Sequence, residues 1–285
     1  MSVTRTQSPG SVSEAAISSL IVEPVTTEAT AALVSTVVPA AGGSALRVPK
    51  VIDDPSTANL FAAEGNELEL LSPEVAQITL QYRKVGGIVP VTAEAIQDAH
   101  NSGGTVLDLV GRALVRKAIM QIDKAAFGGA APADGFAGIR LSHNDFHDAG
   151  DTDGTNIDAF IDAVAAIRGA GGNPSVILTD PATAATLQKA KTSVGSNVPL
   201  YGANAAAPIA ETINGLPVLT SAHVEAGKIY VIDKAGLILA IHKQVTLDID
   251  KSVFFTTDST AIRLTLRSSF GVIDPTKIAV ATLVP

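Results

Sequence analysis

The longest helical pattern in this sequence sets the scale of what must surround it. Between Gly103-Gly104 and Gly128-Gly129, the residues Leu107, Val110, Leu114, Ala118, Ile122 and Ala125 recur every three or four positions. That spacing puts them on one face of an α-helix. A helix over 105–127 would run about 35 Å at ~1.5 Å per residue. A rod of that length needs a domain-sized body along its apolar side. The other side carries Asp108, Arg112 and Arg116 at four-residue steps, where Asp108 and Arg112 can pair along the helix.

Upstream the pattern changes to strand. Residues 76–85 alternate, with Ile78, Leu80 and Tyr82 on one face and Gln77, Thr79, Gln81 and Arg83 on the other, the signature of a half-buried strand. Residues 47–51 read as a short strand in which Pro49 argues for an edge position, and 88–91 continue in extended form. Between the first two strands, residues 53–74 hold six acids (Asp53, Asp54, Glu64, Glu67, Glu69, Glu74) and no Lys or Arg. Strand, acidic excursion and strand together predict a long two-stranded flap. Such a flap has little core of its own and needs another surface to lie on. Ahead of it, the Ser/Thr-rich start of the chain reads as an extended arm with one modest helix over 26–37, capped by Thr27.

Downstream, 130–155 reads as loop. A second helix is expected over 157–168, with Ile157, Ile161, Val164 and Ile167 on its inner face. A buried strand over 175–179 leads to a third helix that runs to Lys191. Asp180 is its N-cap, and Pro181 takes the first position, where a missing N–H costs nothing. Further strands are expected at 216–220, 229–232, 237–242, 245–249, 262–270 and 278–283. The fold class is α+β.

Composition narrows the chemistry. There is no Cys, which excludes disulfides, thiolate metal sites and a Cys nucleophile. There is no Trp, and the 46% apolar content is mostly aliphatic, so aromatic anchors for small molecules or bases are scarce. A net charge of −8 makes the chain a poor general ligand for nucleic acid. No apolar run approaches the roughly 18 residues of a membrane span, and the start lacks the apolar region of a signal peptide. The expectation is a soluble protein made in the cytoplasm.

Phosphate-binding, dinucleotide, nucleophile-elbow and zinc-protease motifs are all missing from the sequence. One cluster stands out: His143, Asp145, His147 and Asp148, followed by Asp151 and Asp153. These types can ligate a divalent ion, and a metal-dependent enzyme using this region is one reading. A solvated acidic loop is the plainer one, because the spacing fits no EF-hand. His100, His223 and His242 stand alone, without a nucleophile pattern beside them. No catalytic, cofactor-binding or metal residue is assigned.

Several short stretches occur in a telling order: Arg47-Val48-Pro49-Lys50-Val51, Ala62-Ala63-Glu64-Gly65, Val89-Pro90-Val91-Thr92-Ala93-Glu94, the helix ending Ile122-Asp123-Lys124-Ala125-Ala126-Phe127, then Asp134-Gly135-Phe136-Ala137-Gly138-Ile139 and Asn214-Gly215-Leu216-Pro217-Val218. Leu266-Arg267 through Phe270-Gly271-Val272 to Asp274-Pro275 closes the series. In this order the chain resembles the tailed-bacteriophage major capsid protein family, with the fold named after phage Hong Kong 97. The resemblance covers about 21–283.

It implies an N-terminal arm over 1–48 and an E-loop over 49–83. It implies a peripheral domain from 84–150 and 245–272 with a spine helix at 105–127, and an axial domain from 151–244 and 273–285. The implied function is a shell subunit of the virion that assembles through hexamers and pentamers around double-stranded DNA, without sequence-specific binding, cofactor or membrane. The implied partners are other copies of itself, with scaffold, portal and decoration proteins as separate chains. An encapsulin, a cellular shell enclosing a cargo enzyme, is the alternative within the same fold, although the polar arm suits it poorly. Some members cross-link through an E-loop Lys. None lies between Val51 and Arg83, so cross-linking is not expected, and with so few residues ahead of the matched part neither is a fused scaffold. Since the family's E-loop lies across a neighbour, Glu64, Glu67 and Glu69 are expected to face basic side chains there, with Arg112 and Arg116 as the candidates.

Overall fold

In the computed structural model the described residues are 23–40, 42–53, 74–101, 106–128, 135–155, 157–193, 196, 198, 200, 212–242 and 246–284. Their elements run α1 (Glu23–Glu28), α2 (Thr30–Val34), β1 (Thr36–Ala40), β2 (Ala45–Asp53), β3 (Glu74–Gln81), β4 (Arg83–Thr92), α3 (Ala93–Asn101) and α4 (Val106–Phe127). A 3-10 helix (Ile139–Asp145) leads to β5 (His147–Thr152), α5 (Asp158–Gly169), β6 (Val176–Thr179) and α6 (Pro181–Lys189). The chain closes with β7 (Thr212–Ile213), β8 (Leu216–Thr220), β9 (Lys228–Ile232), β10 (Leu237–His242), β11 (Thr246–Phe254), β12 (Ser259–Val272) and β13 (Ile278–Leu283).

Strand β12 organises the first sheet. It pairs antiparallel with β4 over Ser259–Ser268, with β11 on its opposite edge, and with β10 through Ser268–Val272. β1 extends this sheet by pairing in parallel with β10. Helix α4 lies on the sheet and buries Leu114, Ala118, Ile122 and Phe127 against Ile262, Leu264, Leu266 and Phe270. The Phe270 ring meets those of Phe127 and Phe136, each at 6.3 Å, within the range of favourable aromatic pairs.

The second sheet has six strands in the order β5-β13-β9-β6-β8-β7. Its central strands are buried on both faces, and period-two alternation sorts their residues. Ile177, Ile229, Val231, Ala279 and Ala281 face α5 and α6, where Phe160, Ile167 and Leu187 fill the layer. Val176, Leu178, Tyr230, Ile232 and Ile278 point the other way and join the core around α4.

Strands β2 and β3 stand apart as a two-stranded ribbon, in register from Ala45↔Gln81 past Pro49↔Gln77. With one partner each, both are edges, so Pro49 is tolerated. The ribbon is moored to the body at three points. Leu80 lies against Gly271, where a Cβ would collide with its methyl groups. Tyr82 meets His242 edge-on at 5.5 Å, and Lys50 pairs with Asp274 at 3.5 Å.

Much of the sequence reading appears in place. α4 ends at Phe127 and β13 spans 278–283. Ile78, Leu80 and Tyr82 share the less exposed face of their strand. Asp180 caps α6, accepting from the backbone N–H groups of Ala182 at 2.9 Å and Thr183 at 3.2 Å. Five expectations need correction. The single strand expected over 76–85 breaks at Tyr82: β3 ends at Gln81 and pairs with β2, whereas β4 begins at Arg83 and pairs with β12. The helix expected over 26–37 is two short helices beginning at Glu23, and Thr36–Ala40 is strand, because β-branched Thr36, Val37 and Val38 complete an open edge of β10. The expected loop 130–155 contains the 3-10 helix and β5, drawn into order by buried Ile139 and Phe146 and by pairing with β13. Helix α5 turns Ala159, Phe160 and Ala163 inward with Val164 and Ile167, which leaves Ile157 and Ile161 exposed. Small alanines let the sheet approach closely, and Phe160 supplies the volume the isoleucines were expected to fill. Helix α6 ends at Lys189, short of Lys191.

Candidate assembly surface

Helix α4 has two sides of different chemistry. Its inner side belongs to the main core. On its outer side Leu109 is 69% exposed and Met120 52% exposed, and Arg112, Arg116, Lys117 and Lys124 are exposed with them. Asp123 would dilute this charge if it faced outward. It is buried instead, and its carboxylate accepts from the backbone N–H of Thr30 at 3.1 Å and of Ala31 at 2.8 Å. Burial pushes the Asp123 carboxyl up, while these hydrogen bonds and the charge of His223 pull it down. The residue before α2 is Ala29, which has no side-chain oxygen to cap the helix. Asp123 therefore satisfies the orphan amides of α2 from another element. The outer face of α4 keeps its cations without this acid among them.

The two basic residues singled out from the sequence, Arg112 and Arg116, both lie on that exposed face, one helical turn apart. The side chain of Asp108 lies outside the described set, as do Glu64, Glu67 and Glu69, so neither the Asp108–Arg112 pairing nor the acidic half of the seam is placed. The structure adds a feature that sequence reasoning missed. A groove of about 420 Å³ runs between β4 and α4. Arg83, Lys84 and Lys117 stand along it, over a floor that includes Val85, Leu114 and Phe136. Lys84 and Lys117 are far apart in sequence, so only the packing of α4 on β4 brings them together. The available signal was the Arg83-Lys84 pair at the exit of the acidic excursion.

Among the described residues no group of three or more His, Asp or Glu could hold a metal ion. In the region considered for metal, His147 and Asp148 are neighbours in β5 and so point to opposite faces of the sheet. The buried ionisable groups serve the fold. Burial pushes the Tyr230 hydroxyl up to about 12, helped by the charge of Glu225 and opposed by Arg140. Burial also raises Asp180, but hydrogen bonds from Thr183, Gly227 and Ala182 outweigh it and hold the carboxyl low. An exposed cationic helix beside a groove with an apolar floor is suited to docking a polypeptide.

Comparison with known proteins gives one consistent result. The profile of the phage capsid family matches residues 10–283. The capsid of an empty GTA particle computed with C5 symmetry is similar with a TM-score of 0.72 and 17% identity, covering 100% of this chain and 95% of that one. A structure from Gordonia phage Cozz gives 0.68 at 19% identity, covering 90% and 87%. The satellite phage P4 procapsid, which includes a size determination protein, gives 0.63 at 12% identity, covering 100% and 94%. No curated protein matches the sequence.

Proposed function

Since the chain belongs to the phage capsid family, we propose a division of labour among its parts inside a shell built of its own copies. It is a structural, self-assembling major capsid protein of the icosahedral head, located in the virion, and not an enzyme. Its assembly units are pentamers and hexamers. In the proposed arrangement, residues 1–48 are an arm and 49–83 an E-loop. Residues 84–150 and 245–272 form a peripheral domain with α4 as its spine, and 151–244 with 273–285 form the axial domain. Supporting this division, the fully buried members of the apolar cluster around Phe160 all come from the axial segments, with Ala149 packing against them from just before the boundary. Double-stranded DNA is the enclosed cargo, held without sequence-specific contacts by a chain of net charge −8. Scaffold, portal and decoration proteins are the further partners.

The observation that carries the proposal furthest is the pairing of opposites. The ribbon leads into an acidic segment with Glu64, Glu67, Glu69 and three leucines, Leu68, Leu70 and Leu71. The outer face of α4 and its groove offer cations with apolar surface between them. A neighbour's acidic segment fits that surface in both charge and apolarity. Each wet ion pair contributes only about 0.2–1 kcal/mol, so their role is to set register and assembly rate while leucine burial supplies affinity. Reversing Arg112 and Arg116 to Glu should impair assembly, and adding Glu64→Lys and Glu67→Lys in the same chain should partly restore it. Normal assembly of the first variant, or no rescue by the second, removes the seam.

A further inference from the structure

Strand β8 is entered through a turn of two residues, Asn214 and Gly215, that joins it to β7. Ile213 pairs with Leu216 across the turn, and Thr212 with Pro217 beyond it. Asn214 has φ +50° and Gly215 φ +78°. A two-residue hairpin turn of this kind needs positive φ at both places, which Asn tolerates and Gly adopts freely. The turn accounts for these two residue types, and it also brings together the parts of a reaction.

Asn214 and Gly215 are both exposed. A Cβ placed on Gly215 would meet nothing within 4 Å, so no neighbour shields the peptide bond between them. Among the described residues the Gly215 N–H donates to no backbone acceptor. Of all the asparagines in the sequence, Asn214 alone is followed by Gly. Every other has a side chain on its C-terminal neighbour, which crowds the approach of the next peptide nitrogen to the Asn amide carbon. The hairpin is also short. Two residue pairs hold it, and so little pairing opens locally at low cost, which lets Asn214 leave the turn conformation and reach the reactive one.

We infer that Asn214 is a site of spontaneous covalent modification, in which the Gly215 nitrogen closes onto the Asn214 side chain and water completes the deamidation. The Gly215 N–H first gives its proton to solvent base. The nitrogen then bonds to Asn214 Cγ, and the side-chain amide nitrogen leaves as ammonia, taking its proton from solvent. A five-membered succinimide remains. Water opens it by breaking the Cγ–N bond, which gives Asp, or the backbone C–N bond, which gives isoaspartate with the main chain rerouted through the side chain. One water is consumed and one ammonia released, with no change in oxidation state. Either product adds a carboxylate to a chain of net charge −8. Isoaspartate also adds a methylene to the main chain, and a two-residue turn has no slack to absorb it. Ile213, 4% exposed and part of the core beside α5 and α6, then loses its register with Leu216. The reaction needs only the hairpin and water, and is independent of the shell reading.

The test ages the purified full chain in mildly alkaline buffer and maps its peptides by mass, with isoaspartate methyltransferase labelling to find the rerouted product. Asn214 should convert at least roughly tenfold faster than any other asparagine, a barrier lower by about 1.4 kcal/mol. Conversion should speed up as pH rises, because the deprotonated nitrogen is the nucleophile. The unfolding midpoint should fall with age as the modified fraction grows. Asn214→Gly keeps a residue suited to positive φ and removes the amide. It should fold like the natural chain, gain no mass at this peptide and hold its midpoint on ageing. An Asn214 amide that survives in the folded chain, while the same peptide converts in chain unfolded by denaturant, would show that the hairpin protects it and would overturn the inference. Conversion spread evenly over the asparagines would overturn it as well.

Discussion

Strands β9 and β3 carry comparable apolar loads and meet opposite fates. Ile229, Val231 and Ile232 of β9 are fully buried, while Val75 of β3 is 60% exposed and Ile78 and Leu80 are only half-buried. The difference is one of neighbours. β9 is flanked by β13 and β6 and covered on both faces, whereas β3 has only β2 beside it and touches the body near one end. The six-stranded sheet is finished by its own chain and the ribbon is not. In a protein that assembles with its own copies, surfaces that its own chain leaves unfinished, such as the ribbon and the outer face of α4, are the places proposed for contact with neighbours.

Two substitutions sharpen this contrast. Phe160 is fully buried between α5 and the sheet, so Phe160→Ala should destabilise the unassembled subunit by about 3–5 kcal/mol in denaturant titration, through lost burial and the cavity left behind. A cost near zero would mean that the second core is loosely packed. At the other extreme, Val75→Ser on the ribbon should change subunit stability by less than about 0.5 kcal/mol, its effect appearing in shell yield. A large loss of subunit stability would show that the ribbon is finished within its own chain after all.

What the sequence made legible follows the same division. Helix α4 is strongly periodic and β13 is a continuous apolar run, each packed as its pattern describes, and the Asp180-Pro181 start of α6 is a local signal obeyed locally. The features that escaped depend on distant partners. β5 is the run His147-Asp148-Ala149-Gly150-Asp151-Thr152, with almost no strand propensity, and it exists because β13 offers it an edge. Asp123 looks like one more surface charge until α2, more than ninety positions away in the chain, presents its amides. The cationic surface was half legible. Arg112 and Arg116 follow from helical spacing alone, but the groove that joins Lys84 to Lys117 is a product of packing.

The central claim, that the open face of the ribbon and the acidic segment it leads into are covered by a neighbour, is tested most directly by a cryo-microscopy reconstruction of shells assembled from the full chain. Closed icosahedral shells are predicted, with the β2–β3 ribbon and residues 54–73 of each subunit lying on the outer face of a neighbour's α4, close to Arg112 and Arg116. Shells in which each ribbon and its acidic segment fold back on their own subunit, or project into solvent without meeting a neighbour, would contradict it.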